Sequence, residues 1–362
     1  MKIDFNNIYN QDKILFPKII KDIKRLIQNN KFILGDEVVK FEKNLSKFTN
    51  TKYCVSCANG TDALYIVLKS LNLKKYDEVI VPDMTWIATA STVINNNCKL
   101  RLVDVNIKNG SIDQLKVIKK INSKTKAIIA VNLWGYSANY KMLKKICNKK
   151  KILLIEDAAQ SIGSINSEGV NSGNLGHVAC FSFFPGKNLG AYGDAGAIVT
   201  NDKKIYQIVK KIRSHGAIKK FNHEIIGTNS RLDTIQAAIL NRKLKRINLI
   251  NKNRRKIAKY YFDKIKNNKI YLFDIFKSSS FHQFVVLVKE RNKFIKYLKR
   301  NNIPYGFHYP YSLHQLKPIK KYCNDKNFDA SKIISSRCIS LPIDPMLNIK
   351  QLDYIVKKIN LF

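Results

Sequence analysis

The sequence predicts an α/β protein in which a large domain with a mainly parallel, mixed sheet is followed by a smaller α+β domain. Short apolar runs, typical of buried strands, alternate with longer stretches whose apolar residues recur at helical spacing. Parallel strands need such crossover helices, which cover both faces of the sheet. Beyond the middle of the chain this alternation gives way to a lysine- and asparagine-rich mixture. We therefore expect domains at 1–250 and 251–362.

The large domain is predicted to begin with an amphipathic helix behind Pro17 that docks on the main body. Further helices are predicted to begin near Phe32 and Gly60, to follow the loop after residue 83, and to span 112–121, 140–147, 203–213 and 234–249. Strands are predicted over 53–57, 78–82, 100–104, 127–131, 152–155, 180–184 and 195–200. The smaller domain should contain strands over 281–288 and 303–309 and helices over 293–301, 331–337 and 349–359.

The composition indicates a globular protein with a strongly basic surface. With 362 residues and 45% hydrophobic content, the chain can bury a large core. The formal net charge is +39, but the lysines are spread through almost every segment, usually beside asparagine and isoleucine. We interpret this as a compositional bias of the whole chain. No zinc-finger spacing or aromatic RNA-binding motif is present, so we predict no nucleic-acid partner.

The cysteines and the apolar runs indicate the compartment. Seven scattered cysteines, an odd number, argue against a disulfide framework and for a reducing environment. Cys54 and Cys57 have redox or metal spacing, but they lie in an apolar run without a second pair, so we predict buried strand residues and no metal. The start of the sequence has no signal-like apolar region, and no run approaches the ~20 residues of a membrane helix. We expect a cytoplasmic protein with no membrane partner.

Lys187 is the lysine whose sequence surroundings are most specific. It follows a strand-like run and the turn Pro185-Gly186, and a glycine-rich segment leads from it into a second strand-like run. Most lysines of this basic chain must lie in water, whereas this one is held between two buried segments. An amine there loses its proton more easily and can form a Schiff base with an aldehyde.

Asp157 is the predicted partner of this lysine. It ends a predicted strand, at the edge where open α/β sheets bind ligands. A carboxylate there suits a cation, and an ionised aspartate would keep the pyridine nitrogen of pyridoxal 5'-phosphate protonated. A helix cap at the strand end is the alternative role for Asp157. No Gly-x-Gly-x-x-Gly follows a predicted strand, so nothing supports a dinucleotide site.

Gly60, Thr61 and Asp62 form a turn that opens a predicted helix. Free backbone N–H groups at a helix start, with a glycine allowing close approach, suit a phosphate. An ordinary capped helix start, with Thr61 or Asp62 as the cap, is the alternative for this turn alone.

The motifs together resemble the DegT/DnrJ/EryC1/StrS family of pyridoxal-phosphate sugar aminotransferases, over roughly 34–309. The resemblance is carried by Asp157 with Gln160, by Ser182 five positions before Lys187, and by the segment Gly227-Thr-Asn-Ser-Arg-Leu-Asp. It implies an aspartate-aminotransferase-like large domain of fold type I. It also implies that the turn at Gly60 and the Ser182 hydroxyl contact the cofactor phosphate.

The resemblance assigns further contacts to residues away from Lys187. Trp86 occupies the position that covers the pyridine ring, with a place in the core as the alternative. Trp134 is expected to wall the pocket or to pack in the core. The position of Asn229 implies a reach across a homodimer interface to the partner's cofactor phosphate, which would make the site composite. We expect Arg231 and Asp233 to form an ion pair that fixes this loop.

The segment around Tyr309 resembles the part of these enzymes that approaches the sugar. His308, Tyr309 and His314 are therefore candidates for binding sugar hydroxyls, with His also able to transfer a proton. Packing of edge aromatics between the domains is an equally weighted alternative. The continuation Leu-His-Gln-Leu-Lys-Pro departs from the family's usual Leu-His-x-Gln-Pro.

The function implied is amino transfer from glutamate to a keto-deoxy sugar carried on a nucleotide diphosphate, a step in deoxyamino-sugar biosynthesis of the kind that supplies O-antigens. A dTDP-3-keto-6-deoxyhexose is favoured, with a 4-keto-6-deoxyhexose as the alternative. A sugar dehydratase on the same scaffold would carry His in place of Lys187 or a cysteine cluster, and this sequence has neither. A basic regulatory or nucleic-acid-binding protein on an enzyme-like fold is the alternative from another class.

Overall fold

The computed structural model describes residues 1–219, 221–275, 277–323 and 325–362. Its strands are β1 (Tyr53–Cys57), β2 (Glu78–Pro82), β3 (Lys99–Val103), β4 (Thr125–Val131), β5 (Leu153–Asp157), β6 (Val178–Ser182), β7 (Gly196–Thr200), β8 (Ala217–Lys219), β9 (Asn222–His223), β10 (Ile270–Leu272), β11 (Phe284–Val288) and β12 (Cys338–Leu341). The predicted strands of the large domain are all present, shifted by two residues or fewer at their ends.

Helices connect most of these strands. They are α1 (Ile8–Asp12), α2 (Phe16–Gln28), α3 (Asp36–Thr49), α4 (Gly60–Ser70), α5 (Ile87–Asn95), α6 (Gln114–Lys120), α7 (Lys141–Lys150), α8 (Lys203–Arg213), α9 (Thr234–Leu244), α10 (Ile247–Lys264), α11 (Arg291–Arg300), α12 (Lys317–Lys320), α13 (Asp329–Arg337) and α14 (Ile349–Asn360). No helix of the described ranges is both long enough and apolar enough to cross a membrane.

The large sheet is mixed and mainly parallel, as predicted. Within the described chain it has seven strands in the order β1-β7-β6-β5-β4-β2-β3. Strand β7 runs antiparallel to both its neighbours, while the pairs from β6 through β5, β4 and β2 to β3 are parallel. The carboxyl ends of β5 and β6 therefore meet at one edge. Asp157 and Ser182 end these two strands there.

Helices cover both faces of this sheet. Since successive strand residues point to opposite sides, one strand contributes to the apolar clusters on both faces. In β6, Val178 and Cys180 pack in the apolar cluster that contains α4, whereas Ala179 and Phe181 pack in the cluster that contains α3 and α9. Burial on both faces explains the continuously apolar strands. It also fixes the position of the loop that follows β6.

The smaller sheet is antiparallel, in the order β10-β11-β12. Helices α10, α11 and α14 pack around it, and Ile3 from the start of the chain joins the same apolar cluster. Helix α10 runs through residue 250, where we placed the domain boundary, and the boundary itself stays a prediction. The single helix predicted over 234–249 is wrong, because α9 ends at Leu244 and α10 begins at Ile247.

The strand predicted over 303–309 is also wrong. In this segment the structure has one isolated bridge, between Gly306 and Ser340. The His308 carbonyl accepts a hydrogen bond from the Trp134 indole N–H at 2.6 Å. This carbonyl therefore bonds to a distant side chain instead of to a neighbouring strand. Strand β12, which has no clear alternation and was not predicted, lies beside β11 instead. The predicted strand over 281–288 begins three residues late, at Phe284.

Asp104 connects the large sheet to α13 in the second half of the chain. This buried carboxylate accepts hydrogen bonds from the Lys116 ammonium and from the hydroxyl and backbone N–H of Ser331. Burial alone would raise the pKa of Asp104, but these bonds outweigh it and the pKa is lowered below its usual 3.8. Asp104 is therefore ionised and stabilising at neutral pH.

We expect Asp104→Ala to lower the free energy of unfolding by about 2–4 kcal/mol at pH 7, because it leaves the buried donors without an acceptor. A carboxyl with a depressed folded-state pKa stabilises above the unfolded-state value and loses that contribution as the pH falls through the folded-state value. The difference in melting temperature from the parent should therefore shrink on acidification below pH 4. Asp329→Ala, which removes an exposed carboxylate from α13, is the control. Equal losses in the two variants would contradict the role of Asp104.

Candidate active site

Lys187 lies on the loop that follows β6. Its backbone N–H donates to the Phe184 carbonyl at 2.8 Å, which closes the turn at Pro185. The turn is tight, since a Cβ on Gly190 would approach the Pro185 carbonyl oxygen to 2.3 Å. Burial lowers the pKa of the Lys187 ammonium to about 8, and the charge of Asp157 partly opposes that shift. A substantial fraction of this amine is therefore neutral near physiological pH.

Asp157 is a buried carboxylate that lacks a full counter-charge. Oδ2 accepts a hydrogen bond from the Thr89 hydroxyl at 3.0 Å, and Oδ1 accepts one from the Ala159 N–H at 3.2 Å. Burial raises the pKa of Asp157, while these bonds and the charge of Lys187 oppose the shift. Among the described residues no cation approaches it within ion-pairing distance. A cationic group between Lys187 and Asp157 would supply the missing charge.

Gln160, Tyr309 and Trp86 form one wall beside Asp157. The Gln160 amide N–H donates to the Tyr309 hydroxyl at 2.8 Å, and the Tyr309 and Trp86 rings lie 5.3 Å apart between centroids. Burial raises the pKa of Tyr309, with the Asp157 charge as a further cause, so its hydroxyl keeps its proton. Trp86 is 57% exposed, which leaves a ring face open for a planar ligand.

Trp134 is fully buried and fastens this wall to the second half of the chain. Its backbone N–H donates to Gln160 Oε1 at 2.7 Å, and its indole N–H donates to the His308 carbonyl at 2.6 Å. Its φ of +59° is uncommon for a bulky residue and is held by these two bonds. Of the two roles expected for Trp134, packing in the core is confirmed, while a role as a pocket wall stays a prediction.

His308 lies beside Lys187 as a neutral imidazole. Its Nδ1 is 2.7 Å from the Ser340 hydroxyl, and its ring stacks on Phe5 with a centroid separation of 6.4 Å. Burial, together with the positive charge of Lys187, lowers the pKa of His308 to about 4. The structure thus brings His308, Tyr309, Gln160, Asp157 and Lys187 together.

Gly60 and Ser182 meet at the start of α4. A Cβ on Gly60 would lie 2.6 Å from the Ser182 Cβ, so only glycine fits there. The cap of α4 is Asn59, whose Oδ1 accepts the Asp62 N–H at 2.8 Å, and the alternative that Thr61 or Asp62 caps the helix is wrong. Asn59 was missed because Thr61 and Asp62, in the same turn, are also residue types that favour the cap position. The two predicted phosphate contacts, the helix start and the Ser182 hydroxyl, do lie side by side.

The loop that contains Asn229 lies next to this helix start. The Ser230 hydroxyl donates to the Asp62 carboxylate at 2.6 Å, and the Asn229 side chain is exposed. The ion pair predicted between Arg231 and Asp233 is wrong, since neither forms one with any described residue. The exposed Asp233 carboxylate gains little from pairing, and its backbone instead caps α9 and bridges to the segment before α3.

His314 lies apart from this group. Its Nδ1 is 2.6 Å from Asp83 Oδ2, its backbone N–H donates to Oδ1 of the same residue, and its ring stacks on Phe328. Its described contacts do not include Lys187 or Asp157. These contacts attach the segment after Tyr309 to the end of β2. A role of His314 in substrate binding stays a prediction.

Three contributors to the site were not predicted: Thr89, Phe5 and His282. Thr89 lies on α5 and donates a hydrogen bond to Asp157. The only sequence signal for its position was the predicted loop that enters this helix. Phe5 precedes every predicted element. His282 is a lone histidine in an apolar run, a pattern that more often means a core residue. The described residues contain no group of three or more His, Cys, Asp or Glu placed to hold a metal.

Comparisons with known proteins extend over nearly the whole chain. The model of the DegT/DnrJ/EryC1/StrS aminotransferase family matches residues 14–360. The dTDP-3-amino-3,6-dideoxy-alpha-D-galactopyranose transaminase of Aneurinibacillus thermoaerophilus is 40% identical over 95% of this chain and 94% of its own length. The UDP-2-acetamido-2-deoxy-3-oxo-D-glucuronate aminotransferase of Pseudomonas aeruginosa is 37% identical over 96% of both chains.

The solved structures agree with these sequence matches. NtdA of Bacillus subtilis, crystallised with bound cofactor PMP, has a TM-score of 0.91 and 26% identity over 99% of this chain and 84% of its own. The shared architecture is fold type I of the pyridoxal-phosphate aminotransferases, as predicted. From its sequence and its fold, this chain belongs to the DegT/DnrJ/EryC1/StrS family of aminotransferases.

Proposed function

We propose that this protein transfers the amino group of glutamate to the keto group of a nucleotide-linked deoxy sugar, with pyridoxal phosphate held at Lys187. One observation carries the proposal. The buried Asp157 carboxylate lacks a counter-charge, the Lys187 amine has a pKa of about 8, and each of the two groups influences the charge of the other within one site. That combination suits a ring with a cationic nitrogen at one end and an aldehyde near the other. Membership of an aminotransferase family supports the same conclusion.

The residues present fit this cofactor. Asp157 would hold the ring nitrogen, and the exposed face of Trp86 would cover the ring. The backbone N–H groups at Gly60, Thr61 and Asp62 would bind the phosphate. The Ser182 hydroxyl adjoins that helix start and would add a further donor. Gln160 would support the ring from the Tyr309 side.

When bound, pyridoxal phosphate supplies an electron sink for the pair released as the carbon–hydrogen bond of the substrate breaks. The protein supplies the proton transfer. Lys187 Nζ takes the proton from the amino-donor carbon and returns it during the transfer, and then acts in the reverse sense with the sugar. A pKa of about 8 suits both directions near neutral pH. His308 and Tyr309 would orient sugar hydroxyls beside this nitrogen.

We favour a dTDP-3-keto-6-deoxyhexose as the acceptor, giving a 3-amino-3,6-dideoxyhexose. The two relatives described above are named for a nitrogen or a keto group at position 3, and the more similar one for a dTDP-linked dideoxy sugar. The positive field of the chain would also attract a nucleotide diphosphate. Retention of Lys187, where the related dehydratases carry His, favours transfer over dehydration.

We further propose a homodimer with a composite site, working in the cytoplasm. Asn229 is exposed on the loop that lies beside the start of α4, and it would reach the partner's cofactor phosphate. Phe32, Ile33 and Leu34 are 40, 48 and 37% exposed, an apolar run that a second copy would cover. All seven cysteines are unpaired, as in a reducing compartment.

The direct test is amino transfer from glutamate to a panel of nucleotide-linked 3-keto and 4-keto sugars, followed by mass spectrometry of the product. We expect the highest kcat/KM with the dTDP-linked 3-keto-6-deoxyhexose. Absence of transfer to every keto sugar by a yellow, cofactor-loaded protein would refute the proposed activity. A colourless protein that binds DNA with a steep salt dependence would support the regulatory alternative.

Lys187→Ala should lower the rate of amino transfer by on the order of 10²–10⁴-fold, because it removes the group that moves the proton. Borohydride treatment of the parent should fix the cofactor on Lys187, as read by peptide mapping, and should fix none in the variant. Lys203→Ala, at an exposed lysine of α8, is the control and should keep full activity. Fixation of the cofactor on any other lysine would contradict the assignment.

The rate at which the cofactor-free protein captures pyridoxal phosphate should rise with pH through a midpoint near 8. Only the neutral amine attacks an aldehyde, and burial lowers the pKa of Lys187 to about 8 from the usual 10.5. Stopped-flow absorbance over a pH series measures this midpoint, with Nα-acetyl-lysine as the unburied reference. A midpoint near that of the reference would show that Lys187 is not desolvated.

A further inference from the structure

His282 is a buried histidine whose tautomer is fixed by its neighbours. It is 7% exposed and precedes β11. Its Nδ1 lies 3.2 Å from Oδ1 of Asn188, the residue that follows Lys187. The Asn188 amide nitrogen donates to the Ser280 carbonyl and to Asn251 Oδ1, both at 2.9 Å. A backbone carbonyl only accepts, so Asn188 must turn its oxygen towards His282.

His282 therefore carries its proton on Nδ1 and presents an unprotonated Nε2. The ring stays neutral because burial lowers its pKa well below the usual range, and the charges of Lys187 and Arg254 act in the same direction. Nε2 forms no hydrogen bond with any described residue. It is also not fully enclosed by protein atoms.

The other polar side chains near Lys187 already have partners. Asp157 is assigned to the cofactor ring. Nδ1 of His308 is joined to the Ser340 hydroxyl, and the Tyr309 oxygen already accepts from Gln160. A primary amine that enters this site brings N–H groups, and each one left unpaired in a desolvated place is costly. His282 Nε2 is an unpaired acceptor on a ring that lies close enough to Lys187 for the charge of the lysine to lower the pKa of the histidine.

We propose that His282 Nε2 accepts a hydrogen bond from the primary amine of the amino donor and holds that amine beside Lys187. The proposal rests on the proposed function, because it concerns the donor half of the same transfer. Asn188 is then a positioning residue. It fixes the imidazole so that the lone pair, and not the N–H, faces the amine.

Two substitutions distinguish the contribution of Nδ1 from that of Nε2. His282→Asn keeps an N–H near the Nδ1 position for Asn188 but has no acceptor at the Nε2 position. His282→Gln extends to the Nε2 position with a carbonyl oxygen. The probe is 2-methylglutamate, which has the donor's amine and carboxylates but no hydrogen on the reacting carbon, so binding is measured without turnover. Its dissociation constant is measured by calorimetry on the borohydride-reduced protein, in which the cofactor is fixed on Lys187 and the amine of the probe stays free.

We expect His282→Asn to weaken binding of 2-methylglutamate roughly 10–100-fold, the usual effect of losing a hydrogen bond to a charged group. His282→Gln should stay within about threefold of the parent, since it restores an acceptor. Equal binding by all three proteins would overturn the proposal, as would equal losses in both variants, which would indicate packing alone. If the parent itself neither binds the probe nor transfers an amino group, the proposed function fails instead.

A second measurement needs neither turnover nor cofactor. In the 15N-histidine NMR spectrum of the cofactor-free protein, the signal that disappears in His282→Asn should show a protonated Nδ1 and an unprotonated Nε2 at neutral pH. A protonated Nε2 would overturn the proposal even if both variants folded poorly, because the tautomer is read in the parent. His282→Gln provides the same assignment if His282→Asn does not fold.

Discussion

The site depends on the electrostatic relation between Lys187 and Asp157. Each is withdrawn from water, and each shifts the pKa of the other towards its charged form, yet they do not form an ion pair. A direct pair would neutralise both and leave nothing for a ligand to balance. Holding them apart keeps a desolvated carboxylate ready for a cation and an amine ready to react. The surrounding structure maintains that separation.

Two levels of structure maintain it. Parallel pairing of β5 with β6 brings Asp157 and Ser182 to one edge, and the tight turn at Pro185 returns Lys187 towards that edge. Trp134 then joins the large sheet to the second half of the chain through two hydrogen bonds. The wall formed by Gln160 and Tyr309 is consequently fixed to both parts. Catalytic groups on loops gain their precision from such rigid support.

The sequence was informative where a local pattern carried the information. Apolar runs predicted the large sheet, and the interruption at Pro185-Gly186 predicted a special lysine. Local patterns failed where a distant partner decides the structure. The carbonyl of His308 bonds to an indole from far upstream, which no alternation within 303–309 records. His282 owes its tautomer to an asparagine 94 positions away, so its chemistry is invisible until the two are placed together.

The first dozen residues carry a consequence for how the site is assembled. Phe5 stacks on His308, the Asn7 N–H donates to the Asp344 carboxylate at 2.6 Å, and Asp12 accepts from the Lys243 ammonium at 2.7 Å. During synthesis this segment leaves the ribosome long before residues 243–344 exist, so it must wait unpaired until they emerge. The contact of Phe5 with His308, beside Lys187, is therefore completed only after the second half of the chain has emerged.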